Sequence, residues 1–193
     1  MRRQRNLLGP QGMGGMVSLW GASSLIRSVQ TGTISLVAAT NAAATITAVN
    51  TANSFVLFQG CTISTDNGLP GNTARVNVTL TNATTVNAFR QVGTDTATVA
   101  YTVLEFATGI VKSLQSGEIT VSGVTSNTAT ITVVNTDKAW LFFRGFWTDD
   151  GNVGEYSGRS SSKIVLTNST TITASKSVAS NSSLPSYTVV EFF

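Results

Sequence analysis

The sequence of 193 residues contains no histidine and only one cysteine. Without histidine the chain lacks the commonest general base, the usual serine or cysteine triad and most zinc sites. The one cysteine, Cys61, excludes a disulfide within the chain, and we expect it to be a reduced thiol or a small buried hydrophobe. These absences predict a protein that is not an enzyme and that carries no cofactor and no metal.

Charged residues are scarce as well, at 11% of the chain. The formal net charge of +3 comes from Arg2, Arg3 and Arg5, because the remaining residues hold nine cations and nine acids. A protein that binds duplex nucleic acid normally presents a clustered basic face to the phosphates. The neutral body therefore predicts no nucleic-acid partner, and only the N-terminal residues offer a weak basic contact.

The chain also lacks an apolar run long enough to span a membrane, which predicts no membrane partner. Glycine, proline and glutamine interrupt residues 7–16, so the basic start does not continue into a signal peptide. We interpret residues 1–24 as an extended arm that docks on a partner, with a plain terminal tail as the alternative. The arm's candidate docking residues are its basic and large apolar side chains: Arg2, Arg3, Arg5, Leu7, Leu8, Val17, Leu19 and Trp20.

What the chain does contain is a repeat. The segment Tyr101–Phe106 (YTVLEF) returns as Tyr187–Phe192 (YTVVEF), and Ile26–Ile34 (IRSVQTGTI) returns as Val111–Ile119 (VKSLQSGEI). The displacement is 86 residues for the first pair and 85 for the second, and self-similarity at so regular a spacing indicates a tandem duplication. We therefore divide the chain into an arm (1–24), a first repeat (25–108) and a second repeat (109–193), and the short link between the repeats predicts a rigid pair.

Each repeat shows short alternating segments separated by turn residues, a pattern typical of antiparallel strands. The predicted fold class is all-β: two tandem, duplicated six-stranded antiparallel β-sandwich or barrel domains preceded by an extended N-terminal arm. Within the first strand, Gly32 suggests a bulge or a close backbone approach. The strands predicted in the first repeat are Ile26–Leu36, Thr45–Val49, Ser54–Phe58, Arg75–Leu80, Thr85–Phe89 and Thr96–Phe106, with a turn at 38–42.

One acid stands at the same place in the apolar last strand of each repeat, as Glu105 and Glu191. An acid on a buried face is costly unless it is paired, and Arg27 and Lys112 occupy matched positions in the first strands. We predict structural ion pairs between Arg27 and Glu105 and between Lys112 and Glu191. A glycosidase would need a second nearby carboxylate, which the spacing does not offer.

A second candidate site lies in the aromatic part of the second repeat. Trp140, Phe142 and Phe143 match Phe55, Leu57 and Phe58 of the first repeat, so we predict that they belong to the core. Trp147 has no such counterpart. We predict an exposed contact patch composed of Trp147, Asp149, Asp150, Tyr156 and Arg159. The Asp149–Asn152 run lacks the spaced acids of a calcium loop and is interpreted as a surface turn.

The repeated Ser-x-Gln-x-Gly-x-Ile opening (28–34 and 113–119) and the Tyr-Thr-Val-x-Glu-Phe closing strand resemble small repeat domains of tailed-bacteriophage virion proteins, usually labelled tail or tail-fibre proteins. The opening and the six-strand plan are also similar to the H-type lectin fold, a six-stranded sandwich that trimerises and can bind amino sugars. No sugar-binding motif of that fold is carried over to this chain.

The resemblance implies a non-enzymatic structural component of a bacteriophage virion, part of the tail or the tail-fibre and adhesin apparatus, assembled in the host bacterial cytoplasm. The expected partners are further copies of the chain, as a trimer, and other virion proteins, with a host surface glycan as an additional candidate. Two alternatives remain: a capsid decoration protein (head fibre or cement) that grips the head through the arm, and an H-type-lectin-like carbohydrate-binding module.

Overall fold

The computed structural model describes residues 25–64, 73, 75–149 and 161–193. The chain is all-β, and its sheets are antiparallel. Threonine and valine dominate the strands, because their branched side chains suit the pleated backbone and pack well on its two faces. No helix in the described ranges is long and apolar enough to cross a membrane.

The first repeat contributes strands β1 to β6. β1, β6 and β3 form one three-stranded sheet in that order, and β2, β5 and β4 pair in a second layer. β4 and β5 are a hairpin, as predicted, in which Leu80 opposes Val86. The strand bounds are Ile26–Val37 (β1), Asn41–Thr45 (β2), Ser54–Ile63 (β3), Asn77–Asn82 (β4), Thr85–Phe89 (β5) and Thr96–Phe106 (β6).

The second repeat contributes strands β7 to β13, one more than the first repeat, because the residues that match β1 form two strands, β7 and β8. β7, β13 and β10 lie side by side, with β8 also pairing with β13, and β11, β12 and β9 form a separate three-stranded sheet. The strand bounds are Val111–Glu118 (β7), Val121–Ser122 (β8), Ser126–Thr130 (β9), Ala139–Thr148 (β10), Lys163–Asn168 (β11), Thr171–Ser175 (β12) and Ser182–Phe192 (β13).

One sheet crosses from the first repeat to the second. The edge of β4 meets the edge of β10, where Asn77 pairs with Gly145. This contact makes a larger sheet with the order β2-β5-β4-β10-β13-β7. The two repeats are therefore joined by backbone pairing as well as by the chain itself.

The predicted second strand was wrong in position. The sequence predicts a turn at 38–42 and a strand over Thr45–Val49, whereas β2 spans Asn41–Thr45 and pairs with β5, and residues 46–50 are not a strand. The ladder ends there because β5 begins at Thr85. Beyond that point Ile46 and Val49 donate backbone hydrogen bonds to Thr84 and Ala83, in the turn of the β4–β5 hairpin.

Each repeat encloses its own apolar core between its two layers. Along β6 every second side chain is buried, including Val99, Tyr101 and Val103, and these pack on Val78 and Val86 of the opposite layer. β13 differs from β6, because the side chains on both of its faces are buried. Its inner face packs in the second core, and its outer face is covered by the first repeat.

Candidate functional site

A buried carboxylate lies at the same place in each repeat. Glu105 is 3% exposed and accepts hydrogen bonds from Arg27 Nη1 at 3.1 Å, from Ser28 Oγ at 3.1 Å and from the backbone N–H of Asn50 at 3.1 Å. Arg27 and Ser28 belong to β1 and Asn50 to the loop before β3. The carboxylate therefore ties three parts of the first repeat together.

Glu191 occupies the equivalent position in the second repeat. It accepts hydrogen bonds from Lys112 Nζ at 2.8 Å, from the Asn135 backbone N–H at 2.9 Å and from Ser113 Oγ at 3.4 Å. The hydrogen bonds from Lys112 and Asn135 lower the pKa of Glu191, and they outweigh burial, which acts in the opposite direction. Both predicted ion pairs are thus present in the geometry, where they serve the fold.

The remaining motif residues of the opening also have structural partners. The amide of Gln30 donates to the carbonyl of Thr47 at 3.0 Å and accepts from its N–H at 2.8 Å. Gln115 clamps Thr132 through the same two bonds, at 3.0 and 2.6 Å. Gln30 thus holds the loop that follows β2, and Gln115 holds the loop that follows β9.

The predicted contact patch is only partly within the described residues. Asp149 is exposed and accepts a hydrogen bond from the N–H of Ser182, whereas Asp150, Tyr156 and Arg159 lie outside the described ranges, as does the whole arm of residues 1–24. Trp147 is half-buried, and its ring meets the edge of Phe89 in the first repeat at a centroid distance of 5.8 Å. Trp147 is therefore a contact between the two repeats and not a freely exposed side chain.

Trp140 was placed in the core by analogy with Phe55, and this was wrong. Trp140 is 59% exposed, although Phe55 is 2% exposed. Phe55 is buried because it stacks on Phe142 of the second repeat, with ring centroids 4.7 Å apart. The ring of Trp140 makes T-shaped contacts with the rings of Phe142 and Phe192, and most of its side chain is left exposed. Equivalent residues therefore differ because only one of them has a neighbouring repeat.

The sequence patterns gave no indication of the residue that joins the repeats most directly, Arg144. Its guanidinium is buried and donates to the carbonyls of Tyr187, Val78 and Gly117 and to Thr79 Oγ1, at 2.9 to 3.3 Å. Val78 and Thr79 belong to β4 of the first repeat. Burial lowers the pKa of Arg144, yet these hydrogen bonds satisfy its donors in the interior.

Beside Arg144, a second polar cluster crosses the same boundary. Asn77 Nδ2 donates to Glu118 Oε1 and to Ser186 Oγ, both at 2.8 Å, and Ser186 Oγ donates to Glu118 at 2.9 Å. Glu118 and Arg144, together with Phe55 and Leu114, line a cleft of about 450 Å³ between the repeats. We call this boundary, with Arg144, Asn77, Glu118, Ser186 and the Phe55–Phe142 stack, the inter-repeat contact.

A comparison of the two copies is the signal that could have found these residues. Arg144 occupies the position of Gln59 in the first repeat, Glu118 that of Thr33, and Ser186 that of Ala100, whereas Asn77 is replaced by Lys163 in the second repeat. The motif residues that repeat are those that hold each fold. Arg144, Glu118, Ser186 and Asn77 differ between the copies, and each of them contacts the other repeat.

The described residues show no group of three or more histidine, cysteine, aspartate or glutamate side chains that could hold a metal ion. Two buried cations, Arg90 and Lys176, donate hydrogen bonds to backbone carbonyls. Arg90 donates to the carbonyls of Ala39 and Leu36, and Lys176 donates to that of Ser180. Comparisons of the chain with models of protein families, with curated proteins and with solved structures find no match.

Proposed function

We propose that this protein is a non-enzymatic structural component of a bacteriophage virion, part of the tail or the tail-fibre and adhesin apparatus. In this proposal the chain consists of two duplicated six-stranded sandwich domains, assembles as a trimer through these domains, and docks on other virion proteins by its N-terminal arm. Besides the sequence resemblance, one structural observation supports it. The repeated polar residues make contacts within each repeat, whereas the non-repeated Arg144 makes the contact between the repeats.

The repeated polar residues are used within each repeat. Glu105 and Glu191 bind the loop and the first strand of their repeats, and Gln30 and Gln115 bind backbone groups. The repeated motifs therefore stabilise the fold of each repeat. The non-repeated Arg144 forms the contact between the repeats. A chain that keeps its fold and varies its contact surface is suited to assembly with other proteins.

A duplicated domain also has a geometric use in a virion. Three chains around an axis place six similar domains around it, and such a ring can join threefold partners to sixfold partners. The trimer is thus the oligomer that a tail or a fibre attachment site favours.

The experiment is immunogold electron microscopy of intact particles with an antibody against residues 109–193. Label on the tail or its tip would support the proposal, and label spread over the head would replace it by a capsid decoration role. Deletion of residues 1–24 should abolish incorporation into particles in both cases. Particles without label, together with amino-sugar binding by the purified protein, would overturn the virion role in favour of the lectin-like module.

A further inference from the structure

The contact between the two repeats is heterologous, because each repeat contributes a different surface to it. The first repeat contributes the edge of β4 and the side chain of Phe55, and the second contributes the edge of β10 and the outer face of β13. Each repeat, however, has both surfaces, since their strands occupy matched positions. Two surfaces are therefore not used in this contact, and they lie at opposite ends of the pair of repeats. One is the second repeat's equivalent of the β4 edge and Phe55. The other is the first repeat's equivalent of the β10 edge and the outer face of β13.

Both of these remaining surfaces are more exposed than their counterparts within the described residues, although Leu104 and Phe106 at the end of β6 already pack on the apolar cluster around Val190. On the second repeat, Val165 of β11 is 49% exposed and Trp140 is 59% exposed, although its counterpart Phe55 is buried. On the first repeat, Thr102 and Leu104 on the outer face of β6 are half-buried, whereas their counterparts Thr188 and Val190 are 1% and 0% exposed. Neither β3 nor β11 has a partner on its outer edge among the described strands.

The bulge glycines give an independent sign of a missing neighbour. β3 and β10 share a bulge, at Gly60 with φ of 109° and at Gly145 with φ of 88°, a conformation that favours glycine. A Cβ atom on Gly145 would stand 2.2 Å from the Val76 carbonyl oxygen of the first repeat, whereas one on Gly60 would meet no described residue within 4 Å. The first repeat thus has an equivalent binding edge for a strand, and no strand in the described ranges occupies it.

We propose that a second copy of this chain fills that binding edge: β11 and Trp140 of one copy pack on the edge of β3 and the outer face of β6 of the next. This interface repeats between chains the contact that each chain makes within itself. The inference deepens the oligomeric part of the proposed function and rests on it, but it does not depend on a place in the virion. A heterologous contact that closes makes a ring, and three chains give a ring of six repeats.

The equivalence of the repeats identifies the residues that should meet. Within the chain, Asn77 of the first repeat contacts Glu118 of the second. The equivalent residues at the proposed interface are Lys163 in the second repeat and Thr33 in the first, so Lys163 of one copy should face Thr33 of the next. Trp140 should lie on Leu57, the counterpart of Phe142. The interface would also cover two open strand edges, which otherwise favour uncontrolled association.

The test is the solution mass of the full-length protein by light scattering coupled to size exclusion, with three matched variants. The wild type should have the mass of three chains. Thr33→Lys places a like charge opposite Lys163 and should weaken association at least about tenfold. Thr33→Glu should associate at least as tightly as the wild type. Thr128→Lys, on β9 at the opposite edge of the β11-β12-β9 sheet, should have no effect.

Two further variants check that a loss of mass comes from this interface. The double variant Thr33→Lys, Lys163→Glu should recover the wild-type mass. Trp140→Glu, at a side chain that is 59% exposed, should dissociate the oligomer with an unchanged circular dichroism spectrum. A monomeric wild type would overturn the inference. An oligomer that Thr33→Lys and Trp140→Glu leave intact would overturn the assigned surface, while particle labelling would still decide the virion role separately.

Discussion

The ring of Tyr101 lies so close to Gly32 that a Cβ atom on the glycine would stand 2.6 Å from the tyrosine hydroxyl oxygen. The two residues are directly opposite each other on β1 and β6. Tyr187 and Gly117 repeat the relationship in the second repeat, with the same distance of 2.6 Å. The repeated Gly and Tyr of the two sequence motifs are therefore one packing unit, in which the absent side chain leaves room for the ring.

This unit predicts that Gly32→Ala destabilises the protein. In an open strand the substitution would stabilise by reducing the entropy of the unfolded chain. Here the added methyl group must displace the Tyr101 ring, and we expect a loss of about 1–3 kcal/mol, the usual cost of overpacking. Urea unfolding measures it. Combining Gly32→Ala with Tyr101→Leu should cost less than the sum of the single changes, and strict additivity would contradict the contact.

The two partners of the buried ion pair should contribute unequally. Glu105 is buried and has three donors, so Glu105→Ala leaves Asn50 and Ser28 unpaired and should destabilise by about 3 kcal/mol or more. The side chain of Arg27 is 66% exposed, and water can replace it. Arg27→Ala should therefore cost less than about 1 kcal/mol. Equal losses in thermal unfolding of the two variants would contradict this view of the carboxylate.

Acid should remove the contribution of Glu191. Its pKa in the folded state lies below the ordinary value of 4.5, so its stabilising effect is present above that value and is lost as the pH falls towards the folded-state pKa. We expect the free energy of unfolding of Glu191→Gln to fall less than that of the wild type when the pH is lowered through this range. Parallel curves for the two proteins from pH 6 to pH 3 would exclude the effect.

Arg144 should determine whether the repeats unfold together. Replacing it by the residue of the first repeat, Arg144→Gln, removes the bonds to Val78 and Thr79 and leaves buried carbonyls without donors. We expect a loss of about 2–4 kcal/mol and a calorimetric transition that separates into two. Lys138→Gln, which removes an exposed cation of the same repeat, is the control and should leave a single transition. A single unshifted transition for Arg144→Gln would show that other contacts couple the repeats.

Much of the fold followed from local patterns. Alternation along 96–106 gave β6 with its bounds, and the Asn82 turn gave the β4–β5 hairpin, because turn chemistry and burial on one face are encoded within a few residues. The second strand was misplaced, since only the length of β5 decides which residues of 41–50 pair with it. Local pattern could not supply that length.

In the candidate site, too, the sequence predicted some contacts and not others. The charge and spacing of Arg27, Glu105, Lys112 and Glu191 were visible as matched positions, because each pair is made within one repeat. Trp140 and Phe55 were matched positions too, yet one is exposed and the other is buried. Their difference arises from which repeat lies beside them, and no comparison of the repeats alone contains that information.

The sequence by itself determined that this protein is built of strands, that its two halves carry the same motifs, and that each repeat carries a paired acid on its last strand. It could do so because periodicity, turn residues and repeated motifs are local properties of the chain. Only the tertiary structure decided that Arg144 binds the carbonyl of Val78, that Trp147 meets Phe89, and that the carbonyl of Val76 lies against Gly145. These contacts depend on how one repeat is placed against the other, and that placement is the sum of many weak surface interactions that no single segment encodes.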